Sequence, residues 1–218
     1  MKDNINMARS YAILWILTAV VSAASLNIYK PLPKFCDGHD CPTFTILSTG
    51  EGYEERLYNA TKYVSTILSH HTYESAVMKG FFRLFHYING ENKQKRKMEM
   101  AVPVLVKVDA GQNHTHAYHT HPEVTMSFFL PFANQANPPE PSDENVFITE
   151  VPQIRAYVRS FPGYVFTEEG WIKHIEGLRQ SLGDNSITNY EKSYFYTAGY
   201  DNPGKLFHRH NEVWLIEV

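Results

Sequence analysis

The sequence predicts an α+β domain with a pseudo-twofold repeat, in which the order strand–strand–helix–strand–strand occurs twice. Each of two segments with helical spacing of apolar residues lies between pairs of short segments that alternate apolar and polar residues. A proline-rich link, "ANPPEPSDEN", separates the two sets. Such strands are expected to form a curved antiparallel sheet or distorted β-barrel with two α-helices packed on it. A cleft between such a sheet and a helix suits flat apolar ligands.

The first 24 residues are typical of a secretory signal peptide. Lys2 and Arg9 precede the apolar run from Tyr11 to Val21, and small residues follow it, so cleavage is expected after Ala23 or Ala24. The apolar run is short for a membrane span. We therefore expect a secreted protein with no membrane span after cleavage of the signal peptide.

Residues 25–45 are expected to form an N-terminal arm that contains both cysteines of the chain. In an oxidising compartment the pair Cys36 and Cys41 usually closes a disulfide. The alternative is a zinc site made of the two thiolates and His39. That site lacks a fourth ligand nearby and has none of the usual zinc-finger spacing.

The remaining residues, 46–218, are long enough for one domain with its own core. Two sequons, "NAT" at Asn59 and "NHT" at Asn113, predict surface positions that carry N-glycans if the chain is exported. The net charge of −3 and the absence of a basic face argue against nucleic acid as a partner.

The first ββαββ unit has its helix between "KYVSTIL" and "VPVLVKV". Its strands are predicted at 53–58, 62–68, 102–108 and 124–131, and its helix at 74–90. Within the helix, an apolar stripe facing the core is predicted at Val77, Phe81, Leu84, Phe85 and Ile88. Gly90 is a typical residue for the helix end.

The second unit repeats this order after the proline-rich link. Its strands are predicted at 146–151, 154–161, 193–200 and 211–218. Thr167 is a suitable N-cap for the helix between them, with Glu168 and Glu169 in the first turn. The predicted core stripe of this helix is Trp171, Ile175, Leu178 and Leu182, and Gly183 follows it.

Several strings resemble the SOUL haem-binding protein family in order and spacing. They are "CPTFTILSTGEGYEERLY", "KYVST", "MEMAVPV", "PPEPSDENVFI", "VRSFPGY" and "YTAGYDNPGKLFHRHNEVWLIEV", and together they span about Cys36 to Val218. The resemblance implies a pseudo-twofold barrel-like domain that binds haem or a related porphyrin in an apolar groove beside the first helix. Some relatives have a proposed histidine ligand where this chain has Leu57, so an iron ligand from that strand is not expected.

The first helix carries the residues that we expect to hold the haem. Met78, Phe82 and His86 share one face, because they are spaced at i, i+4 and i+8. Met78 and Phe82 are predicted to form an apolar wall, Lys79 or Arg83 to meet a propionate, and His86 to act as iron ligand or hydrogen-bond donor. The alternative for His86 is an ordinary half-buried surface histidine.

A second set of possible ligands lies in "NHTHAYHTHP". His114, His116, His119 and His121 would converge if a tight turn at Ala117-Tyr118 paired the two halves of the segment, and they would then suit zinc or copper. However, Ala-Tyr is a poor two-residue turn. The default expectation is therefore a solvated loop.

No catalytic motif stands out in the sequence. It contains no G-x-S-x-G, H-E-x-x-H, P-loop or G-x-G-x-x-G pattern. We therefore expect a binding protein rather than an enzyme. The main hypothesis is a secreted haem-binding protein. The alternatives are a secreted carrier of metal ions or small apolar ligands, and a protein-interaction module.

Overall fold

The structure is a computed structural model that describes residues 32–69, 71–109 and 123–218. Its strands are β1 (Phe44–Gly50), β2 (Tyr53–Tyr58), β3 (Thr61–Leu68), β4 (Val104–Asp109), β5 (Val124–Phe129), β6 (Phe147–Val151), β7 (Ile154–Phe161), β8 (Tyr194–Gly199) and β9 (Asn211–Ile216). Its α-helices are α1 (Tyr73–Ile88), α2 (Phe132–Gln135) and α3 (Glu168–Asp184). A 3₁₀ turn, Lys34–Cys36, precedes β1. The predicted α+β class is confirmed.

The sheet confirms the predicted repeat. Its nine strands are all paired antiparallel, in the order β1-β2-β7-β9-β8-β4-β5-β3-β6, and they curl into a half-barrel. Strands β2, β3, β4 and β5 of the first unit correspond to β6, β7, β8 and β9 of the second. If each strand is replaced by its counterpart, the order from β2 to β6 reads backwards and the same strands remain neighbours. The pseudo-twofold axis therefore passes between β4 and β8, and β1 is an additional edge strand.

Helix α1 packs on β3 and β5 through a face that is rotated around the helix from the predicted one. Its buried residues include Ala76, Gly80 and Leu84. A Cβ atom on Gly80 would lie 2.9 Å from Leu68 Cδ1, so the small residues let the helix backbone approach the sheet closely. The prediction that Phe85 lies in the core is wrong, because 40% of this residue is exposed beyond the edge of the contact face.

Helix α3 follows its sequence pattern. The Thr167 side chain accepts a hydrogen bond from the Gly170 N–H, which confirms the predicted N-cap. The buried residues of the helix are the predicted stripe, Trp171, Ile175, Leu178 and Leu182. Helix α3 packs over β7, β9 and β2. It lies on the same face of the sheet as α1, because the buried residues of both helices belong to one core cluster.

The opposite face of the sheet is covered by the N-terminal arm. Cys36 and Cys41 form a disulfide with a Cα–Cα distance of 6.2 Å. The zinc alternative is wrong, because the two sulfur atoms are bonded to each other and His39 Nδ1 instead lies 3.0 Å from the Met100 carbonyl oxygen. Both cysteines belong to a second buried cluster that includes Trp214.

Two elements were not predicted. Strand β1 has mostly exposed side chains, and a register shift between Ile46 and Ser48 interrupts its alternation, so it offers no apolar face to detect. Helix α2 has only four residues, which is too short to show a helical period. Among the described helices, none combines the length and the apolar character that crossing a membrane requires.

Candidate functional site

The outer face of α1 exposes three large apolar side chains. Met78 is 63% exposed, Phe82 is 55% exposed and Phe85 lies beside them, one turn further along the helix. The Phe81 ring packs against both phenylalanines, edge to face with Phe82 at 5.9 Å and stacked with Phe85 at 5.7 Å between ring centroids. This α1 face (Met78, Phe82 and Phe85) is an apolar surface held in place by a partly buried ring beneath it.

A pocket of about 220 Å³ lies at the C-terminal end of the same helix. Arg83, His86 and Glu91 line it on one side, and Asp143 and Val146 line it from the segment before β6. Its volume is below the roughly 300–1,000 Å³ of pockets that enclose a small ligand. The pocket is therefore too small to enclose a typical small ligand.

His86 is fixed by a carboxylate. Its Nδ1 atom lies 2.7 Å from Glu91 Oε1, in the turn that follows α1. Since an ionised carboxylate only accepts hydrogen bonds, Nδ1 carries a proton, and in the neutral imidazole this leaves the lone pair on Nε2. A histidine oriented in this way is the usual form of an imidazole that binds a metal through Nε2.

The two predicted cations are placed differently. Arg83 donates to Thr66 Oγ1 at 2.8 Å, and its Nε lies 3.7 Å from Asp143 Oδ2. Hydrogen bonds from the backbone and side chain of Asn145, together with Arg83, lower the pKa of Asp143 below its ordinary value. Lys79 lies towards the other end of the helix, where its Nζ is 3.4 Å from His71 Nε2.

The structure thus brings Met78, Phe82, Arg83 and His86 to one surface, and it adds Phe85 to them. The predicted histidine quartet, His114, His116, His119 and His121, and the sequon at Asn113 lie outside the described residues. In the part of the chain that is described, no group of three His, Cys, Asp or Glu side chains is arranged to hold a metal ion. Asn59 is exposed between β2 and β3 and donates to Thr43 Oγ1.

A buried charged cluster on the opposite face was not predicted. It is centred on Glu212 of β9, which is fully buried and forms an ion pair of 2.9 Å with Arg56 of β2. The carboxylate also accepts hydrogen bonds from Ser160, Tyr200, His210 and Trp214. The available signal was a Glu in the largely apolar strand β9 and an Arg at an inward position of β2. Their significance appears only when these distant strands are brought together, because a buried charge needs a partner.

This cluster ties the N-terminal arm to the sheet. The Phe35 ring stacks on His210 with 4.0 Å between centroids, and Arg56 lies over the Phe44 ring at 4.3 Å. His208 is separate from the cluster and exposed, with a left-handed φ of 52°. The cluster is closed off by aromatic rings, so its first role is structural.

Comparison with known proteins identifies the family. A family model described as SOUL heme-binding protein matches residues 39–216. The chain belongs to the SOUL heme-binding protein family. Human heme-binding protein 2 is 35% identical over 76% of this chain and 78% of its own length. Heme-binding protein 1 of Xenopus laevis is 33% identical over 77% of this chain and 85% of its own.

Solved structures support the SOUL fold at low sequence identity. The C-terminal domain of EcmrR has a TM-score of 0.53 and 10% identity, covering 75% of this chain and 95% of that domain. A Listeria innocua protein described as a hydrolase has a TM-score of 0.50 and 8% identity, covering 78% of this chain and 93% of its own. These likenesses concern the fold alone.

Leu57, which stands where some relatives have a proposed histidine ligand, lies away from the α1 face. Leu57 is in β2, which packs beneath α3 rather than α1. In this SOUL protein the leucine has no side-chain atom that could bind iron.

Proposed function

We propose that this chain binds haem, or a related tetrapyrrole, across the α1 face. Membership of the SOUL family and the names of its relatives, heme-binding proteins 1 and 2, support a binding role rather than a catalytic one. A tetrapyrrole is a flat apolar ring system with two carboxylates at one edge. It needs an apolar surface, cations for its propionates and, optionally, an iron ligand.

The α1 face matches the first requirement. Contiguous exposed aromatic and thioether side chains are unusual on a soluble protein and indicate a surface that is covered by a partner. Met78, Phe82 and Phe85 together offer such a surface along one side of α1. The shallow pocket at the end of the helix then receives one edge of the ring.

The single observation that carries the proposal is the His86–Glu91 pair beside this apolar face. An exposed histidine whose Nδ1 is held by a carboxylate presents Nε2 as a metal ligand. We assign His86 as the residue that would bind the haem iron, and Arg83 and Lys79 as the cations that would contact the propionates. Arg83 already lies in the end pocket, so it is the nearer of the two to His86.

Titration of the purified protein with haemin, followed through the Soret band, tests the proposal. Phe82→Asp removes the centre of the wall and should weaken binding at least tenfold, since burial of one aromatic side chain is worth about 1.5–3 kcal/mol. His86→Ala should retain some affinity but shift the Soret maximum, because the iron ligand is lost. Phe207→Asp and His208→Ala are matched controls at exposed positions of the β8–β9 loop.

Unchanged titration curves for Phe82→Asp would exclude the α1 face as the binding surface. An unshifted Soret band for His86→Ala would remove His86 as the ligand while leaving the wall intact. Circular dichroism spectra of each variant establish that any loss of binding does not come from unfolding.

We further propose that the chain is exported. The disulfide between Cys36 and Cys41 is compatible with an oxidising compartment, and residues 1–24 have the pattern of a signal peptide. The exposed sequon at Asn59 would then carry a glycan. Mass spectrometry of protein recovered from culture medium should find an N-terminus at Ala24 or Ser25, and glycosidase treatment should reduce the mass unless Asn59 is replaced by Gln. Retention of the protein inside the cell, with Met1 intact, would contradict export.

A further inference from the structure

The pseudo-twofold repeat produces a second pocket at the C-terminal end of α3. It has a volume of about 410 Å³ and lies between that helix end, β7 and the turn from β1 to β2. It corresponds to the smaller pocket at the end of α1, which lies between that helix and the segment before β6. At this volume it can enclose a small molecule on its own.

The second pocket has a different chemistry from the first. Thr72 and Thr167 cap their helices in the same way, so the two helices can be aligned on these residues. Gly177 then occupies the place of Phe82, Gln180 that of Phe85, and Ser181 that of His86. The apolar wall and the histidine are both replaced, and the α3 pocket therefore suits a polar ligand and not a tetrapyrrole.

The floor of the pocket is an arginine with an unused guanidinium group. In residues 32–69, 71–109 and 123–218, the structure records no hydrogen bond or ion pair for Arg159. Gly52 makes room for it, because a Cβ there would lie 2.8 Å from Arg159 Nη1. Gly177 lies on the other side, where a Cβ would be in ordinary van der Waals contact with Cζ at 3.4 Å. An arginine held in this way presents a planar fork that matches a carboxylate with two parallel hydrogen bonds.

The rest of the pocket is electronegative. The carboxylates of Glu51 and Asp184 line it, and neither forms an ion pair with Arg159. Helix α3 ends at Asp184, so the negative end of its dipole is also directed here. A ligand with only a negative charge would be repelled by Glu51 and Asp184, and a ligand with only a positive charge would be repelled by Arg159.

We propose that the α3 pocket (Arg159, Gly52, Gly177, Ser181, Glu51 and Asp184) binds a small zwitterion of the amino-acid or dipeptide class. The carboxylate of the ligand pairs with Arg159, and its ammonium group lies between Glu51 and Asp184. The Ser181 hydroxyl, close to the same cradle, adds a neutral hydrogen bond. This site is independent of haem binding on the α1 face.

NMR titration of the ¹⁵N-labelled protein, with glycylglycine as the probe, tests this proposal. Acetate and methylammonium supply the two halves of the zwitterion separately. Glycylglycine should shift the amide signals of Gly52, Gly177 and Ser181 in a saturable way at millimolar concentration. Each half should bind at least tenfold more weakly, and Arg159→Gln should weaken glycylglycine binding at least tenfold.

Two further variants serve as controls. Gly177→Ala places a Cβ in ordinary van der Waals contact with the guanidinium, so it should bind glycylglycine as the wild type does. Its melting temperature should be unchanged or higher, because alanine favours helix more than glycine. Arg155→Gln changes another arginine of β7, which pairs with Glu55 and Glu217, and should bind glycylglycine as the wild type does. The proposal is overturned if glycylglycine gives no saturable shift, if acetate alone matches it, or if Arg159→Gln binds within twofold of wild type.

Discussion

The buried carboxylate of Glu212 offers the sharpest test of what stabilises this fold. Burial favours its protonated form, but the hydrogen bond from His210 and the charge of Arg56 outweigh burial and lower the pKa of Glu212 from 4.5 to about 2. The perturbation is Glu212→Gln, which keeps the shape of the side chain and removes its charge. Arg56 would then lose its buried partner and keep only the ion pair with the half-buried Glu54, whose Oε2 lies 2.7 Å from Arg56 Nε.

The expected loss follows from the shift in pKa. One pKa unit corresponds to about 1.4 kcal/mol of interaction with the charged form, so a decrease from 4.5 to about 2 corresponds to about 3 kcal/mol of unfolding free energy. Breaking a buried ion pair by removing one partner typically costs about 3–5 kcal/mol. Both arguments predict that Glu212→Gln destabilises the protein by about 3 kcal/mol at neutral pH.

The pH dependence has a definite sign. Because the pKa of Glu212 is lower in the folded state, its stabilising contribution is fully present above pH 4.5 and decreases as the pH falls through about 2. Urea denaturation, followed by tryptophan fluorescence, should therefore show a smaller difference between wild type and Glu212→Gln at about pH 3 than at pH 7. The expected decrease in that difference is about 2 kcal/mol.

The matched control is Glu150→Gln, at an exposed carboxylate that lies 3.0 Å from Lys62 Nζ. Exposed ion pairs contribute at most about 1 kcal/mol, so this variant should be nearly as stable as wild type. The reasoning fails if Glu212→Gln loses no more than Glu150→Gln at neutral pH. It also fails if the difference between Glu212→Gln and wild type stays constant on acidification.

Three further predictions concern the helices and the arm. Leu84 is buried and Phe85 is exposed, so in urea titrations Leu84→Ala should lower the unfolding free energy by about 2–5 kcal/mol and Phe85→Ala by less than about 1.5 kcal/mol. Equal losses would show that Phe85 lies in the core. Thr167→Ala should lower the unfolding free energy by about 1 kcal/mol in the same assay, because the N-cap of α3 is lost. Thr167→Ser keeps the hydroxyl and should be as stable as wild type, and a Ser variant as unstable as the Ala variant would argue against the cap. Replacing Cys36 and Cys41 with serine should cost about 2 kcal/mol by the loop-entropy model, measured under non-reducing conditions, and no loss would mean that packing alone orders the arm.

Much of the fold was predictable because its elements have clear periodicity. Strands β2 and β7 have the predicted bounds, and the core stripe of α3 is the predicted one. Strand β1 could not be found in this way, since its side chains are mostly exposed and a bulge breaks their alternation. Helix α1 was found with part of its contact face: Leu84 and Ile88 are buried as predicted. The small residues Ala76 and Gly80 at its closest approach to the sheet were missed, because a pattern of large apolar residues does not include them.

The site was predictable only where its residues share one helix. Met78, Phe82 and His86 lie on one face because the helical period requires it, and the structure places them there. Their setting depends on distant parts of the chain: Asp143 and Val146 complete the end pocket from the segment before β6.

The sequence by itself determined the two ββαββ units, the pair of cysteines and the apolar residues on the outer face of α1, since each of these follows from local spacing and residue type. Only the tertiary structure decided that Arg56 reaches Glu212. It also decided that Arg159 lies between Gly52 and Gly177 without a hydrogen-bond or ion-pair partner among the described residues. The physical reason is the antiparallel pairing of β2, β7 and β9, which brings together side chains far apart in sequence. A hairpin turn sets the pairing of strands that follow each other in sequence, but β2 and β7 are not joined by such a turn, so local patterns do not specify their pairing.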